Sequence, residues 1–140
     1  MASRGVARFG KRALNPTLEQ FKSQDADLVE GAVWVFRDML EFHLVSDPES
    51  HLRIKNALRS ALGSPEFEVR LSAMGAIEYL DDREEFVPML KEIAKCDPFE
   101  LAGQRSDDGE DNGAYYPARF DAGQLLHKIA NHEPPVVDKD

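Results

Sequence analysis

An acidic segment between positions 96 and 116 carries the spacing that comes nearest to metal chemistry. Its sequence from 108 to 113 is DGEDNG, with oxygen-bearing side chains at alternate positions and glycine at the sixth. A calcium loop of that class also needs a bidentate glutamate at its twelfth position, and here that position is Arg119. The spacing therefore argues against calcium and predicts a solvated acidic loop, of a length that is usually functional or disordered.

The remaining candidates for chemistry are scattered. The histidines His43, His51, His127 and His132 show neither HxxxH nor HExxH spacing, and those at helix ends are expected to interact with terminal carbonyls. No GxSxG motif, phosphate-binding glycine loop or Cys/His nucleophile pattern occurs in the sequence. Catalysis would have to rest on isolated carboxylates such as those of Glu30, Glu78 and Asp121. We predict a protein that is not an enzyme, with no metal and no cofactor.

The composition and net charge of the chain then limit the classes of partner that it is expected to bind. The 140 residues fit one domain, and a hydrophobic fraction of 42% fits a globular chain. A formal net charge of −9 opposes the phosphates of DNA or RNA. The predicted partner is therefore another protein with a basic surface, and not a nucleic acid or a membrane.

Cysteine content and apolar runs bear on localisation. Cys96 is the single cysteine, so no intrachain disulfide can form and a reducing cytosol fits. The longest clear apolar run, 32–36, is far shorter than a membrane span, and a cytoplasmic protein is predicted. Residues 1–18 carry four basic side chains and no acid. Such a start resembles an organelle transit peptide, but a short first helix or arm is favoured.

Three segments repeat one apolar stripe at helical spacing. In 64–80 the apolar side chains fall at i, i+4, i+7, i+8 and i+11, which places them along one side of an α-helix. The stripe returns 49 positions later in 117–129 and 41 positions earlier in 28–39. Its members are Leu28, Ala32, Val35, Phe36 and Met39, then Val69, Ala73, Ala76, Ile77 and Leu80, then Ala118, Ala122, Leu125, Leu126 and Ile129.

Caps and prolines mark the other elements. The pattern in 6–22 predicts two short helices broken near Asn15, and Asp47 is the predicted N-cap of a helix that ends before Gly63. Pro88 predicts a bend or a late start for the helix that follows. We divide the chain into a basic arm or short helix over 1–14, a helical repeat domain over 15–131 that includes the acidic loop 96–116, and a polar tail over 132–140.

Antiparallel helix pairs at this spacing, with Ser64-Pro65 before the helix and then Val69-Arg70, resemble the HEAT repeat family. The resemblance implies an all-α, right-handed solenoid of about three helix pairs. Its second helices, here 27–43, 65–80 and 117–130, would line a concave face that holds another protein. It also implies that Arg70 and Arg119 bond across inter-helix turns. Residue 29, a valine, departs from the arginine of the other two copies.

The repeat offsets place Trp34, Gly75 and Gln124 on one rung of this face. Two interpretations stay open for Trp34: it packs across the space left by Gly75, or it is a partly exposed aromatic anchor for a partner. The tyrosines before the last helix are candidate partner contacts or a hydrophobic staple over its first turn. The predicted partner-binding residues are Glu30, Trp34, Arg37, Glu41, Arg70, Met74, Glu78 and Gln124 on the helices, and Asp107, Asp108, Glu110, Asp111, Tyr115 and Tyr116 in or beside the loop.

The length and charge are similar to those of small acidic bacterial HEAT-like immunity proteins, which bind and block a toxin. The sequence hypothesis is therefore an immunity or inhibitor protein that masks a basic toxin or enzyme surface. Two alternatives remain, a HEAT-like lyase that attaches or removes tetrapyrroles and a scaffold subunit of a larger assembly. The identity of the partner and the oligomeric state are not predicted.

Overall fold

A computed structural model of the chain describes residues 9–101 and 115–135, and these residues form an all-α protein. Predictions that fall on 1–8, 102–114 and 136–140 lie outside the described residues. A single turn of 3-10 helix spans Arg83–Phe86. The α-helices are α1 (Lys11–Phe21), α2 (Ala26–Glu41), α3 (Pro48–Leu62), α4 (Phe67–Ile77), α5 (Val87–Cys96) and α6 (Pro117–Ala130).

Side-chain caps fix the starts of two helices. The carboxylate of Asp25 accepts a hydrogen bond from the Asp27 amide at the start of α2. Asp47 accepts from the amide of Ser50 at 3.0 Å and from its hydroxyl at 2.8 Å, and Pro48 occupies the first turn of α3. These bonds satisfy amides that have no partner inside the helix. The predicted cap at Asp47 is confirmed.

The predicted break near Asn15 is wrong, because α1 continues through Pro16. Proline removes the hydrogen bond to the carbonyl four residues earlier, which belongs to Arg12. Both residues lie on the exposed side of the helix, where solvent can hydrate that carbonyl. The opposite side is held by packing, since Ala13 and Leu14 are buried. The predicted boundary between 14 and 15 therefore falls inside a helix.

The central helix α4 is shorter than predicted, since it begins at Phe67 and ends at Ile77. The Ser64 hydroxyl accepts from the Glu66 amide at 3.1 Å and holds the residues before the helix in a turn. The carbonyls of Ser64 and Pro65 instead accept from Arg70 Nη1, both at 3.1 Å. Pro88 lies in the first turn of α5, so the late start predicted for that helix is confirmed.

The helices pack as consecutive pairs with a shared core. Helix α1 contacts α2, α3 contacts α4, and α5 contacts α6. The second members also contact one another, because α4 packs against both α2 and α6. One hydrophobic cluster runs through all three pairs and includes the fully buried rings of Phe36 and Phe86. This arrangement places α2, α4 and α6 in a row.

Within the described ranges, no helix is both long enough and apolar enough to cross a membrane.

Candidate protein-binding surface

Four polar and aromatic residues form a line along α2, which we call the α2 ladder: Glu30, Trp34, Arg37 and Glu41. Their spacing of four, three and four residues puts them on one side of the helix. Trp34 Nε1 donates to Glu30 Oε1 at 3.5 Å, and the Arg37 guanidinium lies 4.9 Å from the centre of the Trp34 ring. Arg37 Nη2 is 3.9 Å from Glu41 Oε1. The neighbours in the ladder therefore orient one another.

Residues of α4 and of the turn after it contact the α2 ladder. Ser72 donates from its hydroxyl to Glu30 Oε1 at 3.4 Å. The Tyr79 ring lies 5.7 Å from the Arg37 guanidinium, so this cation lies near two aromatic rings. Burial, and a hydrogen bond with Glu41, raise the pKa of the Tyr79 hydroxyl above its usual value. The ladder thus contacts α4 at one end and the turn after α4 at the other.

Trp34 does not fill the space beside Gly75. A Cβ atom built on Gly75 would have no heavy atom within 4 Å, so the packing interpretation of Trp34 is wrong. The ring is half-buried, and its nitrogen is bonded to a neighbour on its own helix. The interpretation that remains is a partly exposed aromatic side chain on α2.

A groove of about 200 Å³ lies between α4 and α6, and we call it the α4/α6 groove. Gly75 and Met74 line it from α4, and Gln124 lines it from α6. Glu78 Oε1 accepts from Lys128 Nζ at 2.6 Å and links the two helices at this groove. Asp121 also lines it, and loss of solvent raises the pKa of its carboxyl group.

The structure corrects the placement of three predicted surface residues. Glu41 and Arg70 are each 7% exposed and Met74 is 3% exposed, so little of any of them can meet a partner. All three nitrogens of the Arg70 guanidinium also donate hydrogen bonds to other groups of the chain. Its Nε donates to Asp97 Oδ2 at 2.7 Å and its Nη2 donates to Asp97 Oδ1 at 2.9 Å. Arg70 belongs to the interior and not to the predicted partner-binding surface.

The arginines do bond across inter-helix turns, as the resemblance implied. Arg70 Nη1 reaches the carbonyls of the α3–α4 turn, and Arg119 Nε donates to the carbonyl of Asp97 at 2.8 Å. Sequence reasoning missed Asp97. It is one acid among many, and its only local signal is its position between the last residue of a helix and a proline.

The residues at the base of the acidic loop form a small exposed apolar patch. Leu101 and Tyr115 pair as an antiparallel bridge, with backbone hydrogen bonds of 2.8 and 3.2 Å. The rings of Tyr115 and Phe120 lie 6.3 Å apart, which is the predicted staple over the first turn of α6. Tyr116 donates to Glu100 Oε2 at 3.0 Å. The four loop acids predicted as partner contacts lie outside the described residues.

A separate charged cluster joins α3 to the turn before α5. Lys55 Nζ donates to Asp82 at 2.6 Å and to Glu85 at 2.8 Å, and these bonds raise the pKa of the lysine. The lysine side chain is only 15% exposed, and its charge is met by two carboxylates. This pairing is what a structural link between two elements requires, and sequence reasoning did not identify it.

In the part of the chain that the structure describes, no group of three or more His, Cys, Asp or Glu side chains is arranged to hold a metal ion. Comparison with known proteins finds no family model, no curated protein and no solved structure that matches this chain.

Proposed function

We propose that this chain is a protein-binding module that uses the exposed face of α2, α4 and α6. The observation that carries the proposal is Trp34, a half-buried ring on α2 with the carboxylate of Glu30 and the guanidinium of Arg37 beside it. Tryptophan and arginine dominate the binding energy of many protein interfaces, and they do so best where a partner can exclude water around them.

The order of helix contacts supports a HEAT-like arrangement. Consecutive helices form pairs, and the second helices form a row with α4 in contact with both neighbours. A right-handed solenoid of three such pairs would present α2, α4 and α6 on its concave side. The proposed binding surface is that side.

The proposed partner is a protein with a basic surface. The net charge of −9 favours encounter with a positively charged protein and disfavours acidic ones. The role that fits a small acidic binding module is that of a cytoplasmic immunity or inhibitor protein, which masks the basic surface of a toxin or enzyme.

The test is calorimetry of the purified chain with basic proteins encoded by neighbouring genes, at low and at high salt. We expect association that weakens as salt rises, because screening acts on exposed charges. Trp34→Ala is expected to weaken it about 30-fold, the cost typical of an interface hot spot.

The matched control is Leu52→Ala, which shortens an exposed apolar side chain on α3. It should bind within about twofold of the unchanged chain, as most surface positions outside a hot spot do. An affinity that does not change with salt concentration, or equal affinities of the Trp34→Ala and Leu52→Ala variants, would contradict the proposal.

A further inference from the structure

We infer that the α4/α6 groove takes an arginine side chain of the partner, an inference that rests on the proposed protein-binding function. Three properties of the described residues carry it. The groove is open at a glycine, it already pairs a carboxylate with a cation, and it contains a second carboxylate that is unpaired.

Gly75 keeps the groove open. A side chain at this position would meet no heavy atom within 4 Å at its Cβ, so packing inside the protein does not demand glycine here. Glycine within a helix is nevertheless unfavourable relative to alanine. Its presence leaves a gap about 200 Å³ in volume above the buried side chain of Met74.

The groove already binds one cation of the chain itself. Lys128 reaches across from α6 and donates to Glu78 Oε1 at 2.6 Å, and both side chains are less than one-third exposed. This pair shows that the walls are close enough for a carboxylate and a cation from opposite helices to meet. Lys128 is thereby occupied and does not neutralise Asp121.

Asp121 is the unpaired acid. It is an exposed residue whose side chain forms no hydrogen bond or ion pair with any described residue, and partial loss of solvent at the groove raises its pKa. Gln124 follows three positions later, so the two side chains project from the same side of α6. Together they offer carboxylate and amide oxygens, which are hydrogen-bond acceptors.

Arginine is the side chain that fits this set. Its aliphatic stem can pack on Leu71, the half-buried apolar side chain that lines the groove, while its head stays polar. Its planar guanidinium has five N–H donors, enough to bond a carboxylate and an amide oxygen together. Lysine carries a compact, strongly hydrated charge with three rotatable donors and lacks the rigid planar fork of a guanidinium.

The experiment is a two-dimensional NMR titration of the full chain with an acetylated tetra-arginine amide. Tetra-citrulline, which has the same shape without the charge, and tetra-lysine serve as comparison peptides. The amide of Gly75 reports on the groove, and that of Gly123, on α6 but not among the lining residues, reports on the helix outside it. We expect a saturable shift at Gly75 with tetra-arginine, a weaker one with tetra-lysine and none with tetra-citrulline.

Two variants, each with a matched control variant, make the test specific. Asp121→Asn should weaken tetra-arginine binding about tenfold, since the side chain keeps an acceptor oxygen but loses the negative charge that strengthens the bond to a guanidinium. Glu84→Gln removes the same charge from an exposed position in the 3-10 turn and should stay within about twofold. Gly75→Leu should block the groove without any change in charge, while Gly123→Leu should not.

Equal shifts with arginine and lysine peptides, or equal losses in Asp121→Asn and Glu84→Gln, would overturn the inference and show general attraction to an acidic chain. Different outcomes test the proposed function and the groove inference. If a basic protein binds in a manner that depends on Trp34 but leaves the Gly75 amide unshifted, the groove inference alone is wrong. If no basic protein binds, the proposed function is wrong whatever the peptides do.

Discussion

Asp97 joins three parts of the chain through its side chain and its backbone carbonyl. Its carboxylate accepts two hydrogen bonds from Arg70 and one from the Phe99 amide, and its carbonyl accepts from Arg119. It thereby ties α4, the segment after α5, and α6 to one point. A carboxylate that is only 4% exposed is stable as an ion only with such compensation.

Replacement of Asp97 by alanine should lower the free energy of unfolding by about 3–5 kcal/mol, because it leaves the Arg70 guanidinium buried without its counterion. Urea denaturation followed by circular dichroism measures this loss. The control is the exposed pair Lys22–Glu19, where Glu19→Ala should cost less than about 1 kcal/mol. A similar cost for both variants would show that the buried pair contributes no more than a surface one.

The carboxyls of Asp47 and Asp121 should titrate on opposite sides of the ordinary value of 3.8. Hydrogen bonds from the Ser50 hydroxyl and amide lower the pKa of Asp47, and loss of solvent raises that of Asp121. Carbon-detected NMR titration of the side-chain carboxyls measures both midpoints. Midpoints in the reverse order would contradict the cap at Asp47 and the unpaired state of Asp121.

The two shifts have opposite effects on stability. The Asp47 carboxylate stabilises the folded chain above pH 3.8, and this contribution is lost as the pH falls through its lower folded-state pKa. Asp121 opposes folding once the pH rises above 3.8, because the folded state disfavours its ionised form. At neutral pH, Asp121→Asn should therefore leave the chain as stable as before or slightly more stable, so a loss of binding in that variant would not reflect unfolding.

At the scale of the helices, Gly→Ala variants distinguish the conformational cost of glycine in a helix from the effect of side-chain packing. Gly75→Ala and Gly123→Ala should each raise the free energy of unfolding by about 1 kcal/mol, because a Cβ meets nothing within 4 Å at either site. Gly31→Ala should gain less, since its Cβ would lie 3.2 Å from the Gln20 amide nitrogen, which donates to the Leu28 carbonyl. Chemical denaturation of the three variants tests this order. An equal gain at Gly31 would show that the Gln20 side chain moves at no cost.

Two helices end on histidines in the left-handed region. His43 after α2 and His132 after α6 have φ of 53° and 54°, and the amides that follow them bond back to carbonyls of the last turn. Glycine is the residue usually found at this position. His43→Gly should therefore stabilise the chain by about 1 kcal/mol, measured as a higher midpoint of urea denaturation, because a side chain is strained there. A lower midpoint would mean that the histidine side chain contributes more than the strain costs.

The elements differ in how much their sequences reveal. The bounds of α6 were predicted correctly because the sequence marks both ends. A proline stands at its start, and the last apolar residue of the stripe lies near its end. The start of α4 was predicted too early because Ser64-Pro65 is typical of a helix cap and first turn. In the structure, Arg70 donates hydrogen bonds to the carbonyls of both residues, which lie before the helix. The continuity of α1 was missed because proline normally interrupts a helix, and only burial of the opposite side shows that this one does not.

At the scale of the whole molecule, the repeated stripe predicted the row of α2, α4 and α6 but not the environment of the residues beside it. Arg70, Trp34 and Gly75 were all assigned to one exposed face. The structure buries Arg70 because a distant acid, Asp97, meets it, and that pairing has no periodicity in the sequence. Gly75 remains accessible because no side chain fills the space beside it, and Trp34 is half-buried. Apolar periodicity identifies which side of a helix is buried, whereas long-range polar pairs depend on the fold itself.

The three helix pairs should unfold together, because α4 packs against both neighbours in a continuous core. In a linear array, cooperation between pairs depends on the interfaces that join them. Trp34, the sole tryptophan, reports on α2 through fluorescence, and the Gly123 amide reports on α6. Their midpoints in urea should coincide in the unchanged chain. In Asp97→Ala, which removes the ion pair between α4 and the segment leading to α6, the Gly123 midpoint should fall below that of Trp34. Separate midpoints in the unchanged chain, or coincident ones in both proteins, would show that this ion pair does not couple the last pair to the rest.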